Sequence, residues 1–154
     1  MNTSLAITIS PPSRVINNKL KEPFKHLYAD DKNYIEQTLK YNRIGRYIIY
    51  PELDPKGRLH YHGVINLDSN ELVRFYKHAF HKLKTIGFVD IKPLKTFTDK
   101  FRWTIYMSKD WGITRDILDL NSPILKVTRN KLNKTSATVA GESLSNLTLF
   151  DYFF

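Results

Sequence analysis

The chain opens on an alternation of apolar and polar positions. Leu5, Ile7 and Ile9 fall on one side of the backbone, the period-two signature of a half-buried strand. Pro11-Pro12 ends that strand. Residues 17–28 are basic and irregular, and Asp30 or Asp31 is placed to cap a helix running to about Tyr41. Ile44 to Tyr50 is rich in β-formers and predicts a second strand, and Arg58 to Leu67 a third. The turn at 66–70 offers Ser69 or Asn70 as a cap. Leu72, Phe75, Tyr76, Phe80 and Leu83 then recur at helical spacing to about Thr85, with Gly87 as C-cap. Phe88 to Leu94 predicts a fourth strand, Thr98 or Asp99 starts a helix through Lys109, and Pro123 to Thr128 predicts a last short strand.

The order β-α-β-β-α-β-α implies an α+β fold. It is an antiparallel sheet of about five strands with helices on one face, ferredoxin-like or RNA-recognition-like. Residues 1–127 carry this pattern. Residues 128–145 are rich in Asn, Ser, Thr and Lys and predict a flexible linker, and 146–154 form an aromatic segment suited to a partner.

Composition narrows the chemistry. The absence of cysteine excludes a disulfide framework and thiol nucleophiles. The formal net charge of +9 suits a polyanion such as nucleic acid. No apolar run has the length of a membrane span and the N-terminus lacks a secretion signal, so the expected setting is intracellular with no membrane partner.

The most informative segment is Glu52 to His62. Asp54-Pro55-Lys56-Gly57 has Pro at the second turn position and Gly at the fourth, which suits a type I turn followed by a left-handed glycine. That register pairs Asp54 with Arg58 and sets Glu52 opposite His60. His62, two residues on, shares the face. Two imidazoles and a carboxylate from adjacent strands can hold a divalent metal with coordination positions to spare; Mg²⁺, Mn²⁺ and Zn²⁺ all remain open. His78 and His81, spaced i, i+3, have no convergent carboxylate and read as a helix face.

On the helix from Asp99 to Lys109, Phe101, Thr104, Ile105 and Ser108 form a stripe expected against the sheet. Arg102, Tyr106 and Lys109 form the adjacent stripe, a tyrosine between two cations and suited to a phosphate. Tyrosine is a weak nucleophile unless its target is polarised and the developing charge stabilised.

Taken together, His60-Tyr61-His62, the upstream Glu52 and Tyr106-Met107-Ser108-Lys109 resemble the motifs of the HUH endonuclease family, in particular the nuclease domain of replication initiator (Rep) proteins of circular single-stranded DNA viruses and plasmids. Ile7 to Pro11 loosely resembles that family's first motif. The resemblance spans about residues 3–128. It implies that Tyr106 attacks a phosphodiester in single-stranded or stem-loop origin DNA. The products would be a 5′-phosphotyrosine and a 3′-OH that primes rolling-circle synthesis, and the same site would rejoin ends. It implies Lys109 as the catalytic partner and Mn²⁺ or Mg²⁺, ahead of Zn²⁺, on Glu52, His60 and His62. Candidate DNA contacts are Arg46, Arg58, Arg102, Thr8 and Ser10. The phosphate-loop helicase attached to many such proteins has no counterpart in this sequence, so the resemblance implies an excised nuclease domain or a borrowed helicase.

Asn146, Leu149, Tyr152 and Phe153 resemble the peptide that binds the sliding clamp PCNA, with Asn in place of the usual Gln. That resemblance implies an archaeal cytoplasm or a eukaryotic nucleus. Two other readings compete. A single-tyrosine insertion-sequence transposase shares the His-x-His core, but usually pairs its tyrosine with Gln. A non-enzymatic single-stranded nucleic-acid-binding module would need exposed sheet aromatics.

Overall fold

The computed structural model describes residues 2–12, 21–56, 58–127 and 153–154. The expected linker, the clamp-peptide residues Asn146, Leu149 and Tyr152, and the expected left-handed Gly57 all lie outside the described residues. The elements run β1 (Thr3–Ser10), α1 (Lys21–Tyr41), β2 (Tyr47–Leu53), β3 (Leu59–Leu67), α2 (Ser69–Arg74), a π-helical turn (Phe75–Ala79), α3 (Phe80–Leu83), β4 (Phe88–Pro93), α4 (Phe97–Met107), α5 (Trp111–Leu118) and β5 (Ile124–Lys126). The five strands form one antiparallel sheet in the order β4-β1-β3-β2-β5. β3 is inserted between β1 and β2, as a split β-α-β plan requires.

Several expected boundaries move. α1 begins by Lys21, so residues 21–28 are helical rather than irregular. The cap of α2 is Asp68, not Ser69 or Asn70; it forms a capping box with Glu71, each side chain accepting the other's backbone N–H. α4 is capped in the same way by Thr96 and Asp99. Gly87 is not a left-handed C-cap, because the helix has already ended at Leu83. Glycine is required there because a Cβ would lie 2.3 Å from the carbonyl oxygen of Ser10. α5 had no counterpart in the sequence reading.

Helices cover both faces of the sheet rather than one. On one face Leu5, Ile7, Ile9, Tyr61 and Ile65 pack against Ile35 and Leu39 of α1 and against Phe75, Ala79 and Leu83. On the other, Ile48, Tyr50 and Val64 form a second cluster with Met107, Trp111 and Phe153. The cause is in β2 and β3. Ile48, Ile49 and Tyr50, like Val64 and Ile65, are consecutive apolar residues and cannot all be buried from one side. The stripe expected to carry α4 against the sheet also shifts: Thr104 and Met107 are buried, while Ile105 is exposed.

β1 and β4 differ on that second face. Ala6, Thr8 and Ser10 are small, and Phe88, Asp90 and Lys92 sit beside them by register. α4 therefore stands off β1 and leaves an open groove of about 710 Å³.

Gly63 is where α4 meets β3. A Cβ there would lie 2.3 Å from the carbonyl oxygen of Ile48, and the Gly63 carbonyl accepts a hydrogen bond from Trp103 Nε1 at 2.8 Å. Gly63→Ala is expected to destabilise the fold by about 2 kcal/mol or more, read from the midpoint of urea unfolding.

Candidate active site

The β2–β3 hairpin has the expected register. Glu52 pairs with His60 and Leu53 with Leu59, and the Asp54 N–H donates to the Arg58 carbonyl at 2.9 Å. The Asp54 side chain organises the turn. Its Oδ1 accepts from the N–H groups of Lys56 and Arg58, at 2.9 and 2.8 Å, and its Oδ2 from Arg58 Nε at 2.9 Å. Burial opposes the charge on Asp54, but these bonds from Arg58 outweigh it and hold the carboxyl below its ordinary range.

Glu52, His60 and His62 share the face that α4 covers. His62 Nε2 lies 3.2 Å from Glu52 Oε2, and His60 Nε2 lies 3.2 Å from Asp54 Oδ2. The ring nitrogens on the other side meet hydroxyls of β1: Thr8 Oγ1 is 3.1 Å from His62 Nδ1, and Ser10 Oγ is 3.3 Å from His60 Nδ1. The register sets this, because Thr8 pairs with His62. Thr8 and Ser10, expected to contact DNA, thus act first as orienting partners of the two histidines, although both also line the groove.

Among the described residues, no three His, Asp or Glu side chains already form a metal-binding group. Each imidazole is drawn to a different carboxylate. The donor set nevertheless fits a divalent ion. One carboxylate and two imidazoles project from paired strands, and both Nδ1 atoms face hydroxyls that can accept their protons once Nε2 is a ligand. Burial pushes the His62 pKa down to about 4, helped by the nearby Lys109 ammonium, so the ring is neutral as a ligand must be. Asp54, which the sequence reading used only as a turn residue, stands beside His60 as a further oxygen donor.

α4 brings Tyr106 to this cluster. Its ring packs edge-on against His62 with centroids 5.3 Å apart, and lies 5.2 Å from the ring of Trp103. Trp103 was missed; its signal was an indole one turn before the tyrosine, with an N–H that needed an acceptor. Lys109 does not lie on the helix, which ends at Met107; it sits in the following turn. From there its Nζ reaches Glu52 Oε2 at 3.5 Å and the face of the Tyr106 ring at 4.0 Å. Partial burial works against its charge, but Glu52 and Tyr106 prevail and raise its pKa above the ordinary lysine value.

The other candidates scatter. Arg102 lines the groove beside Trp103 and Tyr106. Arg58 is tied to Asp54 at the hairpin turn. Arg46 lies before β2 at the far end of the sheet, where its Nη2 donates to the Phe153 carbonyl at 2.9 Å, so it is removed from the site. Phe153, expected to seat in a partner's groove, is buried in the second apolar cluster with Ile48 and Val64. No described helix is long and apolar enough to cross a membrane.

Compared with known proteins, the chain matches no family model, no curated protein and no solved structure.

The depressed His62 pKa fixes a sign. Between about pH 6.5 and 4 the unfolded chain binds a proton that the folded chain refuses, so stability rises with pH across that window. Metal-free protein is expected to lose stability as pH falls from 6.5 towards 4, and His62→Gln to flatten that part of the profile. Urea unfolding at a series of pH values measures both.

Proposed function

We propose that the chain is a metal-dependent nickase and joining enzyme for single-stranded or stem-loop DNA, of the HUH replication-initiator type, with Tyr106 as nucleophile. The observation that carries this reading is the position of the Lys109 ammonium, 3.5 Å from Glu52 and 4.0 Å from the Tyr106 ring, while that ring rests on His62. Residues on three separate elements and one turn thereby meet around a space open to a polyanion.

A divalent ion, Mn²⁺ or Mg²⁺, held by Glu52, His60 and His62 supplies electrophilic polarisation of the phosphate when bound. The rest is the work of side chains. Single-stranded DNA enters along the groove floored by Ala6, Thr8 and Ser10, where Lys92 and Arg102 meet phosphates and Phe88 and Trp103 offer faces for bases. The Tyr106 oxygen attacks phosphorus and the bond to the 3′-oxygen breaks. The phenolic proton is given up, the departing 3′-oxygen takes one, and the products are a 5′-phosphotyrosine and a free 3′-OH. Lys109 offsets the charge that builds on the non-bridging oxygens. In reverse, a 3′-OH attacks the phosphotyrosine and joins two ends.

Incubating the protein with pooled, labelled single-stranded and hairpin DNAs and Mn²⁺ should give a retarded band on a denaturing protein gel. Tyr106→Phe and EDTA should each abolish it. Tight binding by the unsubstituted protein without any covalent band would leave a binding module and reduce Tyr106 to a structural residue. Lys92→Ala and Arg102→Ala should each weaken binding to all sequences and reduce the salt dependence of affinity by about one phosphate contact, measured by anisotropy titration at several salt concentrations.

A further inference from the structure

Phe153 and Phe154 are the last two residues of the sequence, and both pack on the domain. Phe153 is 1% exposed and lies in the cluster built by Ile48, Tyr50 and Val64 of the sheet with Met107 and Trp111. Its backbone is held as firmly as its ring. The Phe153 carbonyl accepts from Arg46 Nη2 at 2.9 Å and from Asn66 Nδ2 at 2.7 Å, and the Arg46 guanidinium lies 5.5 Å from the centre of the Phe153 ring. Asn66 is itself fixed by Ser4, whose hydroxyl donates to its Oδ1 at 2.6 Å. Phe154 packs on the Phe153 ring at 5.7 Å and receives Lys100 Nζ of α4 at 5.4 Å from its own ring centre.

These contacts place an aromatic wedge between the sheet and α4. Asn66 is on the same face of β3 as His62 and four residues away, roughly 13 Å along the strand. The wedge therefore supports the end of α4 near Lys100, while Tyr106 sits at the end over His62. On the β1 side an open groove lies between α4 and Ala6, Thr8 and Ser10. Met107 and Trp111, which share the cluster with Phe153, bracket the turn that carries Lys109. The packing of Phe153 and Phe154 thus reaches α4 at both ends, at Lys100 through Phe154 and at Met107 through the shared cluster, and a small misplacement of a nucleophile is costly in rate.

We infer that Phe153 is a positioning residue for Tyr106 and Lys109, a wedge from the end of the chain that sets the height of α4 above the histidine face. This rests on the nickase reading for its reaction readout, but not for its structural one. Phe153 touches neither DNA nor the reacting atoms; it acts through α4.

The test uses the full chain with Phe153→Ala, Phe153→Leu and Arg46→Met, the last loosening the Phe153 carbonyl without opening the core. The single-turnover rate of covalent adduct formation at saturating DNA and Mn²⁺ is expected to fall at least tenfold in Phe153→Ala and about threefold in Arg46→Met, with Phe153→Leu restored to within threefold of the parent. DNA affinity, measured in a Tyr106→Phe background, is expected to stay within twofold. Emission from Trp103 and Trp111, which lie on α4 and α5, is expected to shift to the red in Phe153→Ala. If Phe153→Ala does not fold, Phe153→Leu and Arg46→Met carry the test, and parent-like rate and emission in Arg46→Met would overturn the inference. So would a parent-like rate in folded Phe153→Ala, or rate and affinity falling together. If the unsubstituted chain gives no adduct, the nickase reading fails while the emission still decides the wedge: unchanged Trp emission in Phe153→Ala overturns it, and a red shift supports it.

Discussion

The Asp54 carboxylate holds the β2–β3 turn through two backbone N–H groups and the Arg58 side chain, and the rest of the candidate site depends on that hold. A strand pair has a side-chain period of two, so a slip of one residue would send Glu52 to the opposite face from His60 and His62. The same slip would bury the wrong residues of β2 and remove the carboxylate that Lys109 reaches from the α4–α5 turn. A turn of four residues thus fixes which groups can meet across a sheet of five strands.

The two faces of the sheet divide the work. Behind the site, Tyr61 sits between the two histidines in sequence but points the other way, where its hydroxyl donates to the buried Asp31 at 2.6 Å and its ring stacks near Tyr28. That bond ties the middle of the histidine strand to α1, so the strand is gripped from behind while its front stays available for chemistry. Asp31 is therefore not the helix cap that its sequence position suggested; it lies within α1 and serves the strand.

The hairpin register was legible in the sequence because turn chemistry is local: Pro, Gly and Asp at fixed offsets determine which residues face one another. The α+β class with an antiparallel sheet followed from element order. Other parts were illegible for physical reasons. α5 follows α4 after only a short turn and has no side-chain cap bond at its start, so no local signal marks it. The caps at Asp68 and Thr96 lay one to three residues upstream of those expected, since several Asp, Ser, Thr and Asn residues cluster there and only the reciprocal Glu71 and Asp99 bonds choose among them. The fate of Arg46 and Phe153 depends on contacts between residues more than a hundred positions apart, which no local pattern encodes. The clamp-peptide resemblance drew attention to an aromatic residue, Phe153, that packs on the chain's own sheet in this structure.

Glu52 has two suitors in this structure, the His62 ring and the Lys109 ammonium. On the proposed function, a cation that took the carboxylate would displace Lys109, and a phosphate that drew Lys109 away would leave Glu52 more available to a cation. Each arrival would remove the same obstacle for the other. By thermodynamic reciprocity, occupancy of one site would then strengthen occupancy of the other by an equal factor. A single shared ion pair is enough to make two ligands of opposite charge cooperative, with no movement of the backbone.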